Sequence, residues 1–265
     1  MSAYNCAPYI AEAIDSIINQ TFKDWELIIC DDGSDDGTWD VIQRYQVKYL
    51  ERIVALRNEE NRKQAFSRNR CIKKARGKYI AIMDADDKCD LTRLEKQVVF
   101  LENNQDIAFV GTGMTFFDQN GTWATKLRTP FPRKEQYVPH APFCLASCMF
   151  RKEKLEAVGG YNEKPIYQRG EDYELVVSLM EKGFRGANIN DVLYFCREDN
   201  EVYNKRRINQ RLKEARKIAD VVRRLRLPVK YYIFVLRPLI LGLLPGKIYL
   251  KIHRGALKKR IYYGK

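Results

Sequence analysis

The stretch that decides the fold is Gly77–Asp87, which reads GKYIAIMDADD. Its centre is a short apolar run of strand length, and Asp84, Asp86 and Asp87 follow it directly. If the strand belongs to a parallel sheet, these acids lie at the carboxyl edge of the sheet, where ligands bind. Three crowded carboxylates repel one another, and a divalent cation with oxygen ligands would relieve the repulsion. The alternative is an acidic turn that caps the helix beginning near Leu91.

Strand and helix patterns alternate on both sides of this stretch. In chain order they predict a helix over Pro8–Asn19, a strand over Trp25–Cys30, a helix through Val41–Tyr45, a strand over Arg52–Leu56, a helix over Ala65–Ala75, a strand over Tyr79–Met83 and a helix through Leu94–Leu101. Such alternation predicts an α/β fold with a Rossmann-like, mostly parallel sheet flanked by helices. Helix signals begin almost at once after Met1, so the first strand of the sheet is expected to be missing or clipped.

The pattern loosens after Asn104. A strand is predicted over Ala108–Gly113, a proline-rich stretch runs from Thr129 to Pro142, and an amphipathic helix is predicted over Glu171–Lys182. Residues 105–204 therefore form a second half that differs in organisation from residues 1–104, and we expect it to lie on the substrate side.

A second acidic cluster, DDGSDDGT, follows the predicted strand WELIIC and places Asp31 and Asp32 at the same sheet edge as the first cluster. A carboxylate there can accept hydrogen bonds from a base N–H or from ribose hydroxyls, and Gly33 and Gly37 allow the backbone to approach a ligand closely. A calcium-like loop or a plain turn has the same composition. The two acidic clusters, each at the end of its own strand, are expected to lie close together.

A third pair of acids, Glu171 and Asp172, opens the predicted helix in RGEDYELVV. The helix dipole keeps a carboxylate at this position ionised, and an ionised carboxylate that faces a pocket serves as a general base. The alternative is that both acids only cap the helix. Arg68, in SRNR, is a candidate phosphate ligand, although helix arginines are often solvated or paired with acids.

The charge of this 265-residue chain is unevenly distributed. The net charge is +13, but residues 205–265 hold 19 Lys and Arg against two acids, a net of +17, and residues 1–204 carry −4. A nucleic-acid-binding protein is an alternative for such a basic tail, but the acidic body offers no basic, aromatic-lined groove, so no nucleic-acid partner is expected.

Seven cysteines without a CxxC pair and no secretory signal favour the cytosol.

The basic tail combines an amphipathic helix with an apolar stretch. An apolar stripe runs from Lys205 to about Leu225, and Tyr231–Leu244 follows as a 14-residue apolar run interrupted by Arg237, Pro238 and Gly242. A spanning helix needs about 20 residues, so this run is predicted to lie in a membrane interface. Residues 205–265 are therefore predicted to associate with an anionic membrane surface.

Six motifs in order resemble the family 2 glycosyltransferases of the GT-A fold, over residues 1 to about 200: SAYN, FKDWELIICDDGSDDGT, SRN, GKYIAIMDADD, GGYNE and GEDYELV. The resemblance implies an inverting, metal-dependent hexosyltransferase that uses a nucleotide sugar. Residues 1–104 would then bind the nucleotide sugar, residues 105–204 would face the acceptor, and residues 205–265 would be the basic extension.

The resemblance also implies residue roles. The donor would be held by Ser2, Tyr4, Asp31, Asp32, Arg68, Asp84, Asp86 and Asp87. Among these, Asp32 would read a uracil ring, and Asp86, with Asp84 nearby, would bind Mg²⁺ or Mn²⁺. Asp172, with Glu171 beside it, would be the catalytic base, and Gly160 would shape the acceptor side.

The acceptor expected from the resemblance is a glycan or a lipid-linked sugar of bacterial surface polysaccharide assembly, at the cytoplasmic face of the cell membrane. The chain has no QxxRW-like sequence and no run long enough for a transmembrane channel, so one sugar per acceptor is expected rather than processive synthesis. A catalytically silent nucleotide-sugar-binding module, which kept the fold but lost turnover, is the alternative.

Overall fold

The computed structural model describes residues 1–138, 141–168, 170–198, 208–242 and Gly255. The strands are β1 (Ser2–Ala3), β2 (Leu27–Asp31), β3 (Ile53–Arg57), β4 (Tyr79–Ala81), β5 (Lys88–Cys89), β6 (Ile107–Asp118), β7 (Gly121–Lys126), β8 (Met149–Arg151) and β9 (Arg185–Arg197). The helices are α1 (Ile10–Ile18), α2 (Thr38–Lys48), α3 (Gln64–Lys74), α4 (Arg93–Asn103), α5 (Lys152–Ala157), α6 (Glu171–Glu181), α7 (Ile208–Arg224) and α8 (Leu236–Gly242). Short 3₁₀ helices cover Lys134–Tyr137, Leu145–Ser147, Pro165–Tyr167 and Val229–Val235.

The first sheet is parallel and has the order β1-β2-β3. Its central strand, β2, is buried along its whole length, as expected for a strand covered on both faces. The predicted alternation of strands and helices is confirmed in this half, and the helix predicted over Ala65–Ala75 is α3. Asp31 ends β2 and Asp32 follows, so both lie at the predicted carboxyl edge.

The second sheet is mixed and has the order β4-β8-β6-β9-β5, with β7 paired to β6. Only β6 and β9 run parallel in it, while its other strand pairs are antiparallel. The predicted mostly parallel sheet therefore describes β1–β3, whereas β4, which the alternation places in the same sheet, pairs antiparallel with β8. The α/β class holds for both sheets. A parallel bridge between Ser2 and Asp84 joins the two sheets, so the end of β1 lies beside the first acidic cluster.

The first strand is present but only two residues long, which fits the expectation of a clipped strand and not that of a missing one. β1 pairs only with Cys30 and Asp31, whereas β3 pairs with all five residues of β2. The Met1 amino group donates to the Ile28 carbonyl at 2.8 Å, and the Cys30 N–H donates to the Met1 carbonyl at 2.9 Å. Beyond Met1 a cleft of about 880 Å³ separates the first half of β2 from β4.

Helix α7 is packed onto the body of the protein. Its apolar face contributes Val221 and Val222 to the core cluster that includes α6, and Leu225 follows them into the same cluster. Arg224 binds Glu174 of α6 at 3.0 Å and Glu181 at 2.8 Å. The stripe predicted on this helix is thus largely buried. Within the described ranges, no helix is both long enough and apolar enough to cross a membrane.

Candidate active site

The carboxylate of Asp32 is buried and held by four donors from the segment that leads into α3. Its Oδ1 accepts from Asn58 at 2.6 Å, from the Arg62 N–H at 2.9 Å and from the Ser67 hydroxyl at 2.9 Å, and its Oδ2 accepts from the Lys63 N–H at 2.9 Å. Lys63 has φ of 75°, so the chain turns sharply here to present its N–H. The cluster fixes Asp32 at the end of β2 and ties it to α3.

Asp31 has a different environment from its neighbour. It is fully buried, pairs with the Arg57 guanidinium at 3.2 Å and accepts from the Ser34 hydroxyl at 2.5 Å. These contacts hold the DDGSDDGT turn against β3. Tyr4 lies on the other side of this turn and is 49% exposed, so its ring is open to a ligand.

The centre of the site is an ion triad around the buried side chain of Arg68. One guanidinium nitrogen of Arg68 contacts Oδ1 of Asp84 at 2.6 Å, and the other contacts Oδ1 of Asp172 at 2.6 Å. Burial alone would lower the pKa of Arg68, but Asp172, Tyr161 and Asp84 together raise this pKa well above its usual value. A permanently charged Arg68 therefore holds an acid from the first half of the chain beside an acid from the second.

Asp172 is held by a second donor, Tyr161. The Tyr161 hydroxyl donates to the same Oδ1 at 2.9 Å, and burial together with the Asp172 charge raises the pKa of Tyr161 well above its usual value, so it stays a donor. Among the described residues, every hydrogen bond to Asp172 goes to Oδ1. With a side chain 24% exposed, Asp172 is left with Oδ2 to act on a proton.

Tyr161 is positioned by a glycine turn attached to α3. The Tyr161 N–H donates to Oδ1 of Asn69 at 2.8 Å, and Asn69 donates to the Tyr161 carbonyl at 2.9 Å. Gly160 has φ of 72°, and a Cβ there would lie 2.6 Å from Oδ1 of Asn69. The turn therefore requires glycine at this position, and Gly160 affects the site through Tyr161.

The first acidic cluster divides into one exposed and two more enclosed acids. Asp86 is exposed, whereas Asp87 is buried and accepts from the Arg197 N–H at 2.7 Å. Burial, with the charges of Asp84 and Asp86, raises the pKa of Asp87 well above its usual range. Arg197 also donates to the Asp86 carbonyl at 3.0 Å and binds Glu12 of α1 at 2.5 Å. The end of β9 thus fixes the acidic loop.

The carboxylates of this acidic loop are suitable ligands for a divalent cation. Oδ1 of Asp84 is engaged by Arg68 and by Gln64 at 3.2 Å, and Asp86 is exposed, so a cation bound here would be held by Asp86 and Asp84. No group of three or more His, Cys, Asp or Glu side chains in the described part of the chain is arranged to hold a metal. Mg²⁺ commonly takes only one or two protein carboxylates and completes its shell with water and phosphates.

The remaining predicted residues lie near the triad. Ser2 is buried and forms the bridge to Asp84. Glu171 is also buried, and its carboxylate accepts from the Gly170 N–H at 2.8 Å at the start of α6. The helix-capping alternative therefore describes Glu171 better than a direct role in chemistry does.

Sequence reasoning missed several residues that hold these acids in place. They are Asn58, Gln64, Ser67, Asn69, Tyr161 and Arg197. Ser67 and Asn69 flank Arg68 in the quoted SRN motif, and Tyr161 lies in the quoted GGYNE motif. The motifs therefore indicated these three residues, but they did not indicate which side chain or backbone group each of them contacts.

Comparisons with known proteins agree with this geometry. Residues 1–159 match the family described as "Glycosyl transferase family 2". EpsE of Bacillus subtilis (strain 168), which is named as a glycosyltransferase, is 37% identical over 261 residues, covering 98% of this chain and 92% of EpsE. The Escherichia coli protein named UDP-Glc:alpha-D-GlcNAc-diphosphoundecaprenol beta-1,3-glucosyltransferase WfaP is 31% identical over 195 residues, covering 72% of each chain.

Solved structures show the same fold at low identity. TarS of S. aureus (residues 1–349) in complex with UDP-GlcNAc has a TM-score of 0.70 at 17% identity, covering 90% of this chain and 70% of that one. The mannosyltransferase PcManGT of Pyrobaculum calidifontis, in complex with GDP-Man and Mn²⁺, has a TM-score of 0.63 at 20% identity, covering 100% of this chain and 74% of that one. The chain therefore has the GT-A fold and belongs to glycosyl transferase family 2.

Proposed function

We propose that this glycosyltransferase moves a sugar from a UDP-sugar to a hydroxyl of a glycan or lipid-linked acceptor, with inversion, in polysaccharide biosynthesis. The names of two similar proteins support the donor and the acceptor. WfaP is named for transfer from UDP-Glc to a sugar on diphosphoundecaprenol, and TarS was solved with UDP-GlcNAc. The cytoplasmic face of the cell membrane is the location that suits such an acceptor.

The observation that carries the proposal is the placement of Asp84 and Asp172 on one buried guanidinium. Asp84 belongs to the acidic loop of the proposed donor site, and Asp172 begins a helix of the second half of the chain. Ser67, the residue before Arg68, holds Asp32 at 2.9 Å. The donor acids and the proposed base therefore share one support, α3, as a single transfer site requires.

The chemical step is a single displacement. Asp172 accepts the proton of the acceptor hydroxyl as the oxygen attacks the anomeric carbon, and the new glycosidic bond forms as the bond to the diphosphate breaks. The nucleoside diphosphate leaves with the electron pair, so no covalent intermediate with the protein is needed. Arg68 and Tyr161 hold Oδ1 of Asp172 at 2.6 Å and 2.9 Å, which orients the carboxylate for this proton transfer.

A divalent cation would complete the donor side. Asp86, with Asp84, would hold Mg²⁺ or Mn²⁺, and the bound ion would supply charge stabilisation for the departing diphosphate. Within the chain itself, Arg197 holds the loop that carries Asp86 through its 3.0 Å hydrogen bond to the Asp86 carbonyl.

The test is a screen of UDP-sugars with Mg²⁺ or Mn²⁺ and an undecaprenyl-diphosphate-linked sugar, measuring release of UDP and formation of glycolipid. Asp172→Asn should lower turnover by roughly 10²–10⁴-fold, because the base is lost, while donor affinity stays within about threefold. Asp86→Ala should remove the metal dependence of donor binding in titration calorimetry.

Asp106→Asn is the matched control, because this acid lies in an exposed ion pair with Arg185, and it should leave both readings unchanged. Wild-type turnover in the Asp172→Asn variant would overturn the assignment of the base. Metal-dependent donor binding without product from any acceptor would instead support the silent binding module.

A further inference from the structure

An apolar stripe lies on the outer face of the segment that follows α7. Val229 is 82% exposed, Ile233 65% and Ile240 60%, and Leu236 between them is also exposed. Ile233, Leu236 and Ile240 recur at intervals of three and four residues from the 3₁₀ helix Val229–Val235 into α8, a spacing that places them on one face, and Val229 is exposed at the start of the same segment. A contiguous exposed face of this kind is characteristic of an interaction surface.

The segment is held in place by its other face. Tyr231 and Phe234 pack against the core cluster that contains α6 and the buried side of α7, and Pro238 is buried. The exposed stripe is therefore the outward side of an anchored element. The stripe on α7 itself is unavailable, because Val221, Val222 and Leu225 are buried in the core.

The charge around the stripe is positive. Arg226 and Lys230 are exposed at its beginning, and Arg223 is exposed one turn earlier, where it pairs with Asp220. The part of the chain to which they belong, residues 205–265, has a net charge of +17. An exposed apolar stripe flanked by cations complements a lipid surface with anionic headgroups.

We infer that Val229, Ile233, Leu236 and Ile240 form a membrane-docking face that rests on an anionic bilayer without crossing it. Arg226 and Lys230 contact the headgroups, and the four apolar side chains enter the upper acyl region. The inference deepens the proposed function, since a lipid-linked acceptor would be presented at that surface, and it rests on that function only for this link.

The test is flotation of the full chain with vesicles of phosphatidylcholine alone and of phosphatidylcholine mixed with phosphatidylglycerol. The wild type should float with the mixed vesicles and much less with the neutral ones. The double variant Ile233→Asp with Ile240→Asp should bind mixed vesicles at least tenfold more weakly, because two apolar side chains no longer leave water. Lys230→Glu should weaken binding by roughly fivefold or more, because an attractive charge is lost and a repulsive one is introduced.

The matched control is the double variant Val47→Asp with Leu50→Asp. These two apolar residues lie in α2 and just after it, and each is 72% exposed. This control variant should bind vesicles as strongly as the wild type does. All variants should keep wild-type melting curves, because the changed positions are exposed. UDP release with a soluble acceptor should also stay at wild-type level, so failure of docking and failure of transfer are distinguishable.

Four outcomes would overturn the inference. The wild type could fail to float with anionic vesicles, or the Ile233→Asp and Ile240→Asp variant could float as well as the wild type. Binding to DNA without binding to vesicles would assign the basic tail to nucleic acid. A dimer in light scattering that is lost in the double variant, without vesicle binding, would assign the stripe to a second copy of the chain.

Discussion

Three consecutive residues of α3 contact three different parts of the site. Ser67 holds Asp32, Arg68 joins Asp84 to Asp172, and Asn69 holds the backbone of Tyr161. Neighbouring residues of a helix point about 100° apart, so one turn of α3 can face the proposed donor acids, the proposed base and the glycine turn at once. A change in the orientation of α3 would disturb all three parts together.

Tyr161→Phe tests whether Asp172 depends on its second donor. The change removes the hydroxyl that donates to Asp172 at 2.9 Å and leaves the ring in place. A hydrogen bond to a charged group contributes about 1.5–3 kcal/mol, so kcat should fall by roughly tenfold or more, while the KM for the donor changes little. Steady-state kinetics of UDP release measures both quantities.

Tyr173→Phe is the control for this change, because Tyr173 is next to Asp172 in sequence but donates to the Tyr137 carbonyl at 2.8 Å. It should leave kcat within about twofold of the wild type, since it removes no contact to an acid. Equal losses of kcat in the two variants would show that Tyr161 acts only through general packing.

The sequence predicted the acids of the site more completely than it predicted the residues that hold them. Asp32, Asp84, Asp86 and Asp172 follow strand ends or open a helix, and such positions are visible in local patterns. Tyr161 and Asn69 meet across 92 residues of sequence, and no local pattern reports that pairing. Arg68 was expected to support the nucleotide, whereas its buried guanidinium contacts two acids of the protein.

At the scale of elements, the two-residue strand β1 leaves β2 without a strand partner along much of one edge. β1 pairs with Cys30 and Asp31, so Leu27 and Ile28 face the cleft on that side, and β4 forms the opposite wall. Apolar side chains from both walls, including Ile28, Ile80 and Met83, line this cleft. The cleft extends from Trp25 and Leu27 to Arg68, whose guanidinium contacts Asp84 and Asp172.

Extending the chain before Met1 by about four apolar, β-branched residues should stabilise the protein. Such residues can continue β1 between β2 and β4 and remove apolar surface of the cleft from water. We expect a gain of about 1–3 kcal/mol in the free energy of unfolding, which raises the Tm by roughly 3–10 °C in calorimetry. An extension of equal length made of Gly, Ser and Asp is the control, and an equal gain from it would contradict strand continuation.

The positions of several helices followed from periodicity, but the strands β5, β7, β8 and β9 and part of the strand pairing did not. The predicted helices over Ala65–Ala75 and Glu171–Lys182 are α3 and α6, within one residue at each end. The antiparallel pairing of β8 with β4 and β6 was not predicted, because it joins strands about 40 to 70 residues apart. Parallel pairing was the natural expectation from alternation alone.

At the scale of the whole molecule, the described part of the basic extension is continuous with the catalytic body. Helix α7 gives buried side chains to the core cluster around α6, and Arg224 binds two acids of α6. The helix that begins with Glu171 and Asp172 is therefore supported by a helix from beyond residue 204. The predicted boundary at residue 204 separates an acidic part of the chain from a basic part. The hydrophobic packing nevertheless continues across this boundary.

Leu225→Ala tests how strongly this region supports the fold. Leu225 is buried in the core cluster, and truncation of a buried leucine costs about 2–5 kcal/mol, so the Tm should fall by roughly 5–15 °C. Leu212→Ala is the control on α7 itself, because Leu212 is 43% exposed, and its effect should stay within about 0.5 kcal/mol. Similar melting temperatures for the two variants would mean that α7 packs only loosely.

The ion triad also limits how hybrid enzymes can be made from this family. Arg68 and Asn69 precede residue 104, whereas Asp172 and Tyr161 follow it, so exchanging only the second half between relatives would separate these partners. A chimera that changes acceptor choice should therefore take α3 and the Gly160 turn from the same parent. Grafts that take α3 and the Gly160 turn from one parent should keep the proposed base, Asp172, in its orientation. Grafts that mix the two parents here should fold, but with the Asp172 carboxylate in a different orientation.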